Sequence, residues 1–97
     1  MENDSHQQQY LSDWIEGEVA AGFVFAETAR EYQRDSDGSK FQICLSDALD
    51  CYTVAAGYLG NPALSSEQRH ILALNLNELR RRLDLLRETK LSPSAAA

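Results

Sequence analysis

Apolar residues recur at intervals of three and four in three stretches of the chain, the spacing that lays side chains along one face of an α-helix. Phe41, Leu45, Ala48, Tyr52, Ala55 and Leu59 form a narrow stripe of coiled-coil type, and Leu72, Leu76, Leu79, Leu83 and Leu86 repeat its rhythm. Each stretch opens with Ser followed three residues later by Gln: Ser5/Gln8, Ser39/Gln42 and Ser65/Gln68. In this capping-box spacing a hydroxyl and an amide satisfy free donors at a helix start. Asp35-Ser36-Asp37-Gly38 and Gly60-Asn61-Pro62 stand between the stretches and carry stop and turn chemistry. The pattern predicts helices over 6–34, 40–59 and 66–89. Joined by short turns, they are expected to form an all-α, antiparallel three-helix bundle, with small Ala48 and Ala55 allowing a close approach.

The first stretch departs from a single stripe. Tyr10, Leu11, Trp14, Ile15, Val19, Phe23, Val24, Phe25, Ala26, Ala29 and Tyr32 cover far more than one helix face. Phe23 and Phe25 lie about 200° apart around a straight helix. A platform of two helices is not expected to bury both, so at least one large aromatic should lie exposed in a monomer. That surplus marks an interaction surface for a partner protein or a second copy of the chain. The competing expectation is a bend at Gly17 or Gly22 that turns both faces inward.

Composition bounds the class. The chain has 97 residues, 43% hydrophobic and 25% charged, with only two Pro and five Gly. It is long enough for one domain that buries roughly 65% of its unfolded surface. A net charge of -6 and a pI near 4.7 argue against general binding to nucleic acid or anionic membranes. Residues 1–9 are polar and acidic, without the basic-then-apolar order of a secretory leader, and the longest apolar run, 19–26, falls far short of the ~20 residues that span a bilayer. The expected location is therefore cytoplasmic. The domain is placed at 6–90, with disordered residues 1–5 before it and a flexible tail, 91–97, after it.

Charge is unevenly spread. Residues 1–29 contain Glu2, Asp4, Asp13, Glu16, Glu18 and Glu27 and no Lys or Arg, whereas the third helix carries Arg69, Arg80, Arg81, Arg82 and Arg87. This suggests electrostatic complementarity between the first and third helices, within the bundle or across a dimer. The Arg80-Arg81-Arg82 run reads first as a solvated face and second as a site for an anion or acidic peptide.

Candidate chemistry is sparse. His6 and His70 lack partners at metal-ligand spacing. Glu27 and Glu31 alternate with Arg30 and Arg34 as a solvated network would. In Asp35-Ser36-Asp37-Gly38 the register of a calcium loop fails, because its first and last ligand positions would fall on Gln33 and Cys44. Cys44 and Cys51 are two helical turns apart, about 10.5 Å along the axis, too far for a disulfide, and read as buried core thiols. The expectation is a non-enzymatic module with no catalytic residue, metal or cofactor. Its interaction surface is assigned to Trp14, Phe23, Phe25, Arg80, Arg81 and Arg82. It would bind a partner helix or peptide, or a second copy as a homodimer centred on Trp14 and one of the Phe side chains; the alternative is a purely structural homo-oligomeric bundle.

The run Ala48-Leu49-Asp50-Cys51-Tyr52-Thr53-Val54-Ala55-Ala56-Gly57-Tyr58-Leu59 resembles the second helix of a microtubule-interacting-and-transport (MIT) domain, with its Ala-Leu, Tyr, Ala, Leu rhythm. Asn77-Glu78-Leu79-Arg80-Arg81-Arg82-Leu83-Asp84-Leu85-Leu86 is similar to that family's third helix. These are mostly bundle-packing positions, and tetratricopeptide-type hairpins share the Ala48, Tyr52, Ala55 spacing. Phe41 stands seven residues ahead of Ala48, where MIT domains have an aromatic about one turn ahead. The resemblance implies a groove beside the third helix that receives short amphipathic peptides of membrane-remodelling partners.

Overall fold

The three periodic stretches become three helices, and the turns between them set which faces meet. In the computed structural model, which describes residues 2–96 and the side chains of 8–88, α1 spans Glu2–Arg34, α2 spans Gly38–Ala56 and α3 spans Ser66–Ala96. Each packs against the other two in an all-α three-helix bundle, and α1 with α2 is the most extensive pair. α1 starts at Glu2, ahead of the expected 6, so Ser5 does not stand at its start as a Ser5/Gln8 cap requires, and α3 runs to Ala96, past the expected 89; the side chains of 1–7 and 89–97, His6 among them, lie outside the described ones.

The first turn takes three residues. The Ser36 amide donates to the Gln33 carbonyl (3.2 Å) and the Asp37 amide to the Tyr32 carbonyl (2.9 Å), the paired bonds of a Schellman closure. Its left-handed position is filled by Ser36, with φ 61°, and not by the neighbouring glycine. Gly38 is instead the first residue of α2. Asp37 caps that helix by accepting from the Lys40 amide at 3.1 Å, so the cap expected at Ser39 falls two residues earlier.

The second turn follows its sequence signal more closely. Ser65 and Gln68 form the reciprocal capping box, with bonds of 2.8 and 3.1 Å. Arg69 reaches back to the carbonyls of Asn61 (3.1 Å) and Leu64 (3.0 Å), tying the connection to the start of α3. α2 stops at Ala56, short of the expected 59, because Tyr58 and Leu59 donate to carbonyls three residues back and tighten the chain into successive turns.

Two apolar clusters fill the bundle. One joins Ala26 and Ala29 of α1, Phe41, Leu45 and Ala48 of α2, and Leu79, Leu83 and Leu86 of α3. The other joins Ile15, Val19, Ala55, Leu64, Leu72 and Leu76. Early α1 thus packs with early α3, and late α1 with late α3, where the Gln33 side chain donates to the Leu86 carbonyl at 3.1 Å. α2 is antiparallel to both neighbours, and α1 and α3 run parallel.

Gly22 supplies room where the three helices converge. A Cβ at this position would stand 2.8 Å from Leu79 Cδ2 and 3.3 Å from Cys51 Cβ, inside one continuous α1. With Ala26 and Ala29 it forms a small-residue stripe that lets α1 sink between its neighbours. Phe23 and Phe25 sit on opposite flanks of that stripe, both packed against the core. The angle between them is real, but a helix sunk between two others has a buried arc wide enough for both. Of the three candidate aromatics only Trp14 is exposed, at 43%.

Candidate interaction groove

α1 lies close on α2 through Gly22, Ala26, Ala29, Ala48 and Ala55, whereas α3 approaches behind a ridge of leucines. Bulky side chains hold α3 further out, and the outer side of the α1/α3 seam stays open. Positions 12, 16, 19, 23, 27, 30 and 34 of α1, at helical spacing, border one side of it. Positions 71, 75, 78, 82 and 85 of α3 border the other.

The seam has two halves of different chemistry. Beside early α1 and early α3 is an apolar cleft of about 230 Å³ floored by Ile15, Val19, Phe23, Leu64 and Leu72, with Ile71 on its rim at 46% exposure. Beside late α1 and late α3 is a wider cleft of about 720 Å³ that carries Arg30, Arg34, Arg81 and Arg82 against Glu27 and Glu78. The halves meet where the Arg82 guanidinium lies 5.0 Å above the Phe23 ring, a cation–π contact.

Within the basic half, Glu78 is shared. Arg81 donates to both of its carboxylate oxygens (3.1 and 3.2 Å) and Arg82 to one (3.3 Å). These hydrogen bonds, Arg81's first, hold the Glu78 carboxyl below its ordinary range, and Glu78 in turn raises Arg81. Arg30 and Arg34 make no ion pair among the described residues, so the network expected between them and Glu27 and Glu31 does not form.

The expected attraction between acidic α1 and basic α3 is not realised within the bundle either. Because the two helices run parallel, Glu16 borders the apolar half of the seam, while Arg81 and Arg82 of α3 meet Arg30 and Arg34 of late α1. No ion pair among the described residues joins α1 to α3.

The six residues assigned from sequence divide accordingly. Phe23, Arg81 and Arg82 come together in the seam. Trp14 and Phe25 line neither cleft: Trp14 packs edge-on against Tyr58, with ring centroids 5.4 Å apart, and Phe25 lies against the cluster around Ala26. Arg80 is exposed and lines neither cleft. Arg30, Arg34 and Ile71 were missed, although 23, 27, 30 and 34 share a helical flank and 71, 75, 78 and 82 share another.

Elsewhere, Cys51 is buried and Cys44 half-buried, both as free thiols; burial, followed by the nearby Glu18 carboxylate, raises the Cys51 pKa. Among the described residues no group of three or more His, Cys, Asp or Glu could hold a metal, and no helix is long and apolar enough to cross a membrane. No protein-family model matches the chain, and neither a curated protein nor a solved structure matches it.

Proposed function

We propose that the chain is a non-enzymatic protein-interaction module that receives a partner helix or peptide in the open α1/α3 seam. The observation that carries this reading is the apolar half-cleft, where Val19, Phe23 and Ile71 face an unfilled seam between two parallel helices. A fourth helix laid there would complete a four-helix bundle and remove that surface from water. The resemblance to MIT domains implies a peptide groove beside the third helix, and the membrane-remodelling partners of that resemblance belong to the same proposal. Two thiols too far apart to bridge fit a reducing, cytoplasmic setting.

A photo-crosslinking side chain at Asn75, on the seam, compared with one at Ile43, on the exposed side of α2, tests the reading in native lysate. A discrete adduct from position 75, absent from 43 and lost when Ile71→Glu is added, is the expected result. Equal labelling from both positions, or an adduct that survives Ile71→Glu, overturns it.

The second reading is the homo-oligomeric bundle without a peptide ligand, and exposed aromatics on the other flank of α1, Tyr10 at 77% and Trp14, favour it. Sedimentation equilibrium separates the two. Under this second reading the wild type sediments as a dimer that Trp14→Glu dissociates; under the first it sediments near 10.9 kDa until partner is added.

A further inference from the structure

Resting on the seam as the binding site, we infer the chemistry and direction of its occupant: an amphipathic helix, antiparallel to α1 and α3, acidic in its first turns and apolar in those that follow. The basic half of the seam reverses the sign of the chain around it. A protein of net charge -6 gathers four arginines against two glutamates there, and Glu78 already serves Arg81 and Arg82. Arg30 and Arg34 have no carboxylate partner among the described residues, and both lie on the cleft. Carboxylates on an incoming segment would complete these pairs, and the planar guanidinium fork suits them.

The arrangement also limits how long the anionic part can be. Beyond the Phe23–Arg82 contact the seam becomes apolar, and its rim carries Glu16. A polyanion running the whole seam would meet that carboxylate and lose the arginines, whereas a segment with acids at one end and apolar side chains at the other matches both halves. Direction follows from helix dipoles. The arginines stand beside the last turns of α1, so an antiparallel occupant brings its N-terminus there, where its own dipole favours Asp and Glu and the carbonyl end of α1 favours a positive helix terminus. From position 12 to position 34 the seam is about 33 Å long, so a helix of about 22 residues fills it.

The test uses the full chain and three synthetic helical peptides of about 22 residues, the first two identical in composition, labelled with fluorescein and followed by anisotropy. One places its Glu residues in the first two turns and Leu at helical spacing after them; the second reverses that order; the third replaces Glu by Lys. The acid-first peptide is expected to bind about tenfold or more tighter than the reversed one, with the gap shrinking as salt rises from about 0.05 to about 0.5 M. The double variant Arg30→Gln/Arg34→Gln should erase the gap, whereas Arg80→Gln, which removes a charge outside the cleft, should leave it. Acid-first and reversed peptides that bind equally, yet are both lost in Ile71→Glu, would overturn the inferred chemistry and leave the seam standing as the binding site. Binding that ignores Ile71→Glu would overturn the seam itself. No binding of any peptide, together with co-sedimentation on phosphatidylserine vesicles or a dimer that Ile71→Glu dissociates, would overturn the helical occupant and assign the seam to a lipid surface or to a second copy.

Discussion

Against α2, α1 presents glycine and alanine, and a methyl added at Gly22 would stand 3.3 Å from Cys51 Cβ of α2 and 2.8 Å from Leu79 Cδ2 of α3. Against α3, the same helix presents Val19, Phe23 and Arg30 and meets leucines, and a cleft runs along the outer side. One interface is finished in the isolated chain and the other is not. Small residues close a helix pair because they remove the spacer between backbones, and the dispersion attraction across that short gap weakens steeply if the fit is disturbed. Large residues on a third helix can fill the centre of the bundle while leaving its flank open, which is the geometry an interaction module needs.

The largest effect expected is at the junction of these regions. Leu79 is fully buried, so Leu79→Ala should cost about 2 to 5 kcal/mol in urea unfolding, enough to threaten a small domain. A loss below about 0.5 kcal/mol would mean that α3 does not close the α1/α2 pair. Gly22→Ala should also destabilise, by about 1 kcal/mol, because overpacking outweighs the helix propensity gained. In the double variant Gly22→Ala/Leu79→Ala the combined cost should fall short of the two single costs by more than about 0.5 kcal/mol, since the new methyl enters the space the leucine vacates. On the open seam, by contrast, Ile71→Ala should cost under about 1 kcal/mol, because nearly half of its surface is exposed before the change.

Titration distinguishes the two regions without altering their packing. The raised pKa of Cys51 means the native state favours the neutral thiol, so the stability it contributes is whole below the ordinary thiol value of 9.0 and is lost as pH rises through the higher native value. Cys51→Ala should flatten that decline as pH rises past 9.0, and Cys51 should react with a thiol reagent more slowly than half-buried Cys44. Glu78 works in the opposite sense. Its lowered pKa gives stability that is present above the ordinary carboxylate range and lost as pH falls through the native value, and Glu78→Gln should remove that acid dependence. The smallest effect concerns the turn that holds the tight pair: Ser36→Gly relieves a left-handed serine and should add at most about 1 kcal/mol, read as a rise in melting temperature. A loss there would mean that the serine side chain does more than tolerate the turn.

The sequence alone determined what depends on local geometry. The leucine and alanine stripes gave the buried faces of α2 and α3, because a 3.6-residue period puts those positions on one side whatever packs there. The Ser65/Gln68 box and the core placement of Cys51 were equally legible, since both depend on residues a few positions apart on one element. Tertiary structure decided the rest. Whether Phe23 and Phe25 could both be covered depended on how deeply α1 sinks, which Gly22 controls through Leu79, 57 residues further along the chain. Arg30 and Arg34 became part of a basic cleft only because α1 and α3 run parallel, bringing like charges from distant segments together. Charge counts along a chain carry no information on that pairing; the path of the backbone through two turns supplies it.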